Sequence, residues 1–308
     1  MANDEAPHST PGLSSWGFGA ASVALGVGAA CTMLYSATQR TQRVLRARQR
    51  VAELLAGAVA GEEARVVITG ATSGVGRELA AELARHPQVS LLLGCRDTVR
   101  AAALAVSIAD ASSGPAPQLA RLDCLDLASV RSFAEEARIF LFQTDRAAGG
   151  GGEVGLRLLV NNAGVMHAPE EASVDQIDPT WQTNFLAPFL LTETLAASRE
   201  PGSQPPLRVV NVSSRLEKRS KLKVEALRTV ASPLSDKAAV ALRAASAYSD
   251  SKRALMLWVA ARAPTLCQEH NTWIFASTPG MVDTELGRHS LPLASVLWCV
   301  ANAFNPEP

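Results

Sequence analysis

Neither charge is in surplus in this 308-residue chain. Its 29 basic side chains balance 29 acidic ones, so no global attraction to nucleic acid or to an acidic surface is encoded. Cysteine is scarce too. Cys31, Cys95, Cys124, Cys267 and Cys299 are odd in number and scattered. No pair of them has metal-ligand spacing, and they suggest no framework of bridges. Reduced thiols facing a cytosol fit that usage. The five histidines are equally dispersed, and no internal repeat is visible. Together these shortages exclude a metal-centred protein, a disulfide scaffold, a repeat array and a nucleic-acid binder.

Apolar residues make up 47% of the chain, enough to fill the core of one large domain or two small ones. The first fifteen residues are the exception. They are polar and rich in Ser, Pro and small residues, a composition that reads as a disordered tail. Residues 16–35 then contain no charged side chain. Twenty helical residues at ~1.5 Å each span about 30 Å, the thickness of a hydrocarbon core. Arg40, Arg43, Arg46, Arg48 and Arg50 follow, with no acid until Glu53, whereas Asp4 and Glu5 precede the apolar stretch. The positive-inside rule keeps the arginine side cytoplasmic. Residues 16–37 therefore read as a membrane anchor and 38–63 as a basic juxtamembrane segment. The anchor would lie in the endoplasmic reticulum or another organelle membrane, with the rest of the chain in the cytosol. A core-packed soluble helix and a cleaved targeting segment are the alternatives; a signal peptide would want a basic n-region that is missing here.

From residue 64 onward, short apolar runs alternate with amphipathic stretches. Residues 65–69, 89–93, 118–122, 156–161, 207–213 and 272–277 read as buried strands. Residues 75–85, 97–110, 126–142, 178–198 and 246–263 read as helices. Regular alternation implies a parallel sheet covered on both faces. Two inserts interrupt it: a glycine-rich piece at 147–155, and a long connection at 215–246. The connection begins with a Lys/Arg cluster, read as a solvated loop or as a membrane-surface contact.

The first strand runs into Thr69-Gly70-Ala71-Thr72-Ser73-Gly74-Val75-Gly76 and then a helix. Glycines there let the backbone turn sharply and approach a pyrophosphate at the positive helix N-terminus. Strand, glycine turn and helix in that order are the context a dinucleotide site requires; a plain tight turn is the alternative. The second strand ends in Gly94-Cys95-Arg96-Asp97. An arginine after this strand suits a 2′-phosphate, where an acid would accept from the 2′-hydroxyl, so Arg96 favours NADP(H) over NAD(H). Asp97 could instead compete for the ribose or cap the next helix. Asp123, after the third strand, is placed either for an adenine amine or as a helix cap. Asn161-Asn162-Ala163-Gly164 ends the fourth strand, and Asn184 lies in a helix. Asn211-Val212-Ser213-Ser214 ends the fifth strand; Pro279-Gly280 follows the sixth, with Thr284 close behind. Tyr248 and Lys252 stand four apart in a helix-forming stretch, hence on one helix face.

That ordered set of motifs resembles the short-chain dehydrogenase/reductase family over residues 64 to about 290. Leu-Gly-Cys-Arg-Asp, Leu-Asp-Cys-Leu-Asp-Leu-Ala-Ser-Val and Asn-Phe-Leu-Ala-Pro-Phe-Leu-Leu-Thr are similar to its retinol dehydrogenase-like branch. The resemblance implies a Rossmann-type doubly wound parallel sheet over 64–308, with an N-terminal membrane-anchor helix before it. It implies alcohol–carbonyl interconversion on a lipophilic small molecule such as a retinoid or steroid. Tyr248 would be general acid or base, and Lys252 would lower its pKa and bond the nicotinamide ribose. Ser214, rather than Ser213, would hold the substrate oxygen, and Asn184 would support a water chain to Lys252. Gly70, Thr72, Ser73, Gly74, Val75, Gly76, Arg96, Asp123, Asn162, Ala163, Gly164, Pro279, Gly280 and Thr284 would hold the cofactor with Tyr248 and Lys252. No metal is expected, and a homo-oligomer is compatible with the pattern.

The C-terminal part departs from the family. After Thr284 only 24 residues remain, where relatives usually add a further helix and a seventh strand. The apolar stretch 291–304 would close the pocket, dip into a membrane surface or pack as an ordinary helix. A missing edge strand would leave unpaired backbone groups beside the cofactor site. The competing functional reading is a non-catalytic nucleotide-binding or interaction protein on the same scaffold. The glycine spacing disfavours an epimerase-type relative.

Overall fold

The structure, a computed structural model, describes residues 46, 49, 53, 62–112, 114–143, 154–166, 172–222 and 237–279, with side chains of the last span from 246 onward. The expected tail, the charge-free segment, nearly all of the basic and glycine-rich segments, the middle of the 215–246 connection, Gly280, Thr284 and the 291–304 stretch lie outside the described residues. Among the described residues no helix is long and apolar enough to cross a membrane.

Six strands alternate with helices. The order is β1 (Glu63–Thr69), α1 (Gly74–Leu83), β2 (Val89–Cys95), α2 (Thr98–Ala111), β3 (Gln118–Arg121), α3 (Leu127–Phe142) and β4 (Val154–Asn161). A helical stretch follows, made of a short turn (Pro179–Trp181), a π-helical turn (Gln182–Leu186) and α4 (Ala187–Ala197). Then come β5 (Leu207–Val212), a 3-10 turn (Arg215–Arg219), α5 (Lys237–His270) and β6 (Thr272–Ser277). All strand pairs are parallel, in the order β3-β2-β1-β4-β5-β6. The chain thus starts in the middle of the sheet and winds outward both ways. Its direction switches between β1 and β4, and in such a sheet ligands bind beyond the carboxyl ends of the strands at that switch.

The strands form where both faces are buried. Ala64, Val66, Val67 and Ile68 of β1 are fully buried, as is Leu93 of β2, because helices cover the two sides. On one side Val67, Leu159, Leu207 and Val209 pack with Phe133, Leu191, Leu195, Leu255 and Leu266 from α3, α4 and α5. Burying Phe133 fully contributes about 1.5–3 kcal/mol, and it fits because Gly94 leaves room: a Cβ there would lie 2.6 Å from the ring. Asp97 and Asp126 start α2 and α3 by accepting backbone N–H bonds from Arg100 and from Ala128 and Ser129. Relative to expectation, α5 begins nine residues earlier, at Lys237, so the long connection after β5 is shorter than expected. The apolar period runs unbroken through 178–198 and hides the π-helical turn within it.

The opposite end of the sheet is closed by three buried arginines. Arg65 donates to the carbonyls of Phe140 (2.9 Å) and Gln143 (2.6 Å) at the end of α3. Arg157 donates to Leu141, Gln204 and Pro205. Arg199 donates to His270, Ser203 and Pro205. The guanidinium groups of Arg157 and Arg199 sit 5.9 and 5.1 Å from the Phe142 ring centre. They serve carbonyls at the ends of α3 and α5, which helix ends leave without partners, and carbonyls of the loop before β5. Burial and the Arg157 charge push Arg199 down to about 10, so it remains a cation at neutral pH. Arg199→Met is expected to lower unfolding stability by about 2–4 kcal/mol, since it orphans buried carbonyls; urea denaturation measures this, and a loss well under 1 kcal/mol would contradict the clamp.

Candidate active site

The carboxyl end of β1 is tied to that of β4. The Thr69 hydroxyl accepts from the backbone N–H groups of Asn162 (3.1 Å) and Ala163 (3.0 Å). In return the Asn162 amide donates to the carbonyls of Thr69 (3.0 Å) and Gly70 (2.9 Å). Gly70 sits at φ +67 with Ala163 against it, so a Cβ would meet the Ala163 Cα at 2.8 Å. A Cβ on Gly76 would strike the Asn162 amide and the Gly70 carbonyl. These two glycines let the helix and the neighbouring strand close on the turn.

The turn ends at the N-terminus of α1. Ser73 stands at its cap position without making a side-chain cap bond, and the first turn holds no acid. Backbone N–H groups at a ten-residue helix's positive end therefore point outward beside half-buried Thr72, Gly74 and Val75, an arrangement that fits a pyrophosphate. At the end of β2, Arg96 is exposed. Asp97 is the cap of α2, its carboxylate accepting from Arg100 N at 3.0 Å; of its two expected roles the structure shows this one. Asp123 does not cap α3, because Asp126 does. Its carboxylate accepts from Leu125 N at 3.0 Å.

Asn184 occupies the π-helical turn and is 1% exposed. Its amide donates to the Val165 carbonyl (2.9 Å) and to the Ser251 hydroxyl (3.1 Å), and its oxygen accepts from Val165 N (2.9 Å). Ser251 donates onward to the Tyr248 carbonyl at 2.9 Å. Asn184 thus joins the turn after β4 to the helix that carries Tyr248. Lys252 flanks the same turn: a Cβ on Gly164 would lie 3.3 Å from Asn184 Oδ1 and 3.6 Å from Lys252 Nζ. Lys252 is buried and donates to the Val212 carbonyl at 2.6 Å.

Of the two serines after β5, Ser214 is the one hydrogen-bonded to the Tyr248 side chain. Ser213 holds the strand ends together, its N–H donating to Ser277 at 2.7 Å. Burial holds the Tyr248 phenol above its ordinary value, and the Ser214 bond only partly offsets this. The expected lowering by Lys252 is not among the causes acting on the phenol: Lys252 Nζ is 6.0 Å from the Tyr248 ring centre and faces a backbone carbonyl. Pro279 is described but Gly280 and Thr284 are not. A small cavity of about 10 Å³ lies behind the β1–β4 switch, lined by Thr69, Cys124, Asn161 and Thr183 among others. Burial pushes the Cys124 thiol there up to about 12, so it stays a neutral thiol at physiological pH.

A sequence model of the family described as short chain dehydrogenase matches residues 64–225. The chain belongs to that family. Among curated proteins it is 33% identical to retinol dehydrogenase 12 of Mus musculus over 239 residues, 78% of this chain and 67% of that one. It is 34% identical to retinol dehydrogenase 14 of Mus musculus over 234 residues, 73% and 63% of the two chains. It therefore spans about two thirds of those relatives' lengths. Among solved structures, a short-chain dehydrogenase from Sphingobium yanoikuyae in complex with NADPH superposes with a TM-score of 0.51 at 22% identity, covering 74% of this chain and 77% of that one, a likeness of fold. The expectation of a short-chain dehydrogenase of the retinol dehydrogenase-like branch is met.

In this short-chain dehydrogenase, Thr69, Val165 and Ser251 join the residues expected from the sequence as spatial partners. Ser251 could have been found from spacing, since it lies three residues after Tyr248 and one before Lys252. Nothing in the sequence marks Val165, which acts through its backbone. Burial also pushes Lys252 down to about 8. An unfolded lysine titrates near ~10.4, so between those values the unfolded chain binds more protons and stability rises with pH. Below pH 8 the full cost of burying the ammonium is present, on the order of 3 kcal/mol. Lys252→Met is thus expected to gain on the wild type at pH 7 and to lose that advantage toward pH 10. Urea midpoints at the two pH values measure it; a difference independent of pH would contradict the buried ammonium.

Proposed function

We propose that this chain is an NADP(H)-dependent oxidoreductase that interconverts an alcohol and a carbonyl on a lipophilic small molecule, with Tyr248 as general acid and base. The convergence of Ser214, Tyr248 and Lys252 at the carboxyl ends of β4 and β5, braced by Asn184, carries the reading. When bound, the nicotinamide supplies and accepts the hydride. Every other task falls to the protein. Gly70, Gly74 and Gly76 with the α1 N-terminus would cradle the pyrophosphate, and Asn162, Ala163, Gly164, Tyr248 and Lys252 would line the nicotinamide end. Ser214 would hold the substrate oxygen as charge develops on it, and Tyr248 would give that oxygen a proton in reduction or take one in oxidation. A phenol kept protonated through neutral pH suits the acid role.

Two observations support NADP(H): Arg96 stands exposed after β2, and the Asp97 carboxylate next to it is engaged by its own helix. The relatives' names support a retinoid-like substrate, and Trp16–Tyr35 followed by the arginines supports attachment to an organelle membrane with the catalytic part in the cytosol. Tyr248→Phe is expected to abolish NADPH-dependent reduction of retinal and similar aldehydes while NADPH still binds. In the same assay Arg96→Ala should weaken NADPH at least tenfold and leave NADH nearly unchanged. Retained turnover without the phenol would overturn the acid–base assignment. NADPH binding without turnover in the wild type would favour a non-catalytic nucleotide-binding protein.

A further inference from the structure

The residues around Tyr248 and Lys252 on α5 hold more than the reacting groups. Arg253 donates from Nη1 to Glu217 Oε2 at 2.9 Å, and the Ser220 hydroxyl donates to Asp250 Oδ1 at 2.7 Å. Asp250 and Arg253 are three apart and share a helix face. Their partners Glu217 and Ser220 lie within and at the C-terminal cap of the 3-10 turn that starts immediately after Ser214. That turn is internally tied: Glu217 N donates to the Ser214 carbonyl at 3.1 Å, Ser220 N to the Glu217 carbonyl at 3.1 Å, and Leu216 N to the Ser214 hydroxyl at 3.3 Å. Beyond it, Leu222 packs against Trp181, Ala247 and Ala254. Glu217 is 9% exposed, and a buried carboxylate is stable only when paired.

We propose that the Glu217–Arg253 and Ser220–Asp250 contacts form a staple that positions Ser214 against Tyr248. Glu217, Ser220, Asp250 and Arg253 are positioning residues, since they reach the chemistry only through the serine. The logic is geometric. Ser214 sits two residues past β5, where the chain leaves the sheet, and among the described residues no ladder bond fixes the backbone that follows. Its hydroxyl must meet both a substrate oxygen and the phenol, and a misplacement of ~1 Å can cost on the order of 100-fold in rate. The staple binds the departing turn to the helix that bears the phenol, within two residues of Lys252 and five of Tyr248. This inference rests on the oxidoreductase reading of the same site.

The test uses the full chain and two readouts. The chain has only two tyrosines, Tyr35 and Tyr248, so subtracting a Tyr248→Phe titration isolates the Tyr248 phenol by its ultraviolet absorbance, with no turnover needed. Arg253→Met is expected to lower kcat for aldehyde reduction roughly 10–100-fold, with the KM for NADPH unchanged, and to move the phenol titration upward as the Ser214 bond loosens. Arg253→Lys, which keeps the charge, should recover most of both. Should Arg253→Met not fold, Asp250→Ala breaks the second contact alone and should shift both readouts the same way. A folded variant with the wild-type titration and the wild-type kcat would overturn the staple. Absence of turnover in the wild type would overturn the oxidoreductase reading instead, and the phenol titration would then decide the staple by itself.

Discussion

A buried chain of hydrogen bonds running from Thr69 to Tyr248 is the interaction on which the site depends. The Thr69 hydroxyl binds the backbone of Asn162 and Ala163. Two residues past Ala163, Val165 exchanges two bonds with Asn184. Asn184 reaches Ser251, and Ser251 reaches the Tyr248 carbonyl. The glycine turn, the β4 end, the π-helical turn and the helix that bears Tyr248 are joined in series. Thr69, Asn184, Ser251 and Tyr248 are buried and the β4 turn residues half-buried, and in a low-dielectric setting losing a buried partner costs more than the bond contributes. The glycine turn and the helix that bears Tyr248 are thereby held in one frame.

The two ends of the sheet solve opposite electrostatic problems. At the carboxyl end, the α1 N-terminus is left without a cap bond or an acid, so its positive field faces the crevice, where a phosphate would be welcome. At the other end, the carbonyls closing α3 and α5 are negative and would lie unpaired beneath the strands. Arg65, Arg157 and Arg199 meet them. The chain's net charge of zero conceals this division, because charge matters here by position rather than by sum.

Most of the fold could be read from the chain because buried parallel strands are short apolar runs. All six strands appear where those runs are, with ends displaced by at most two residues. The glycine turn was legible because it is a contiguous motif, and Tyr248 and Lys252 share one helix as their spacing of four implied. What was not legible involves tertiary context. Spacing placed Lys252 beside Tyr248 but could not show that Lys252 turns to the Val212 carbonyl, nor that burial dominates the phenol. Asp97 could be assigned between cap and ribose only once its contact with Arg100 N was seen. The Asn184 bonds and the arginine clamp pair side chains with backbone groups far along the chain, which no local pattern encodes. The early start of α5 was missed because the Ala-rich stretch before Ser246 carries no strong apolar period.

The central claim is that this scaffold transfers hydride rather than merely holding a nucleotide. The most direct measurement incubates the purified full chain with NADPH deuterated at the transferable position and with retinal, then locates the label by mass spectrometry. The account expects one deuterium on the carbinol carbon of the product alcohol. NADPH bound at the site with no deuterium transferred, to retinal or to any aldehyde or ketone of a lipophilic panel, would contradict it.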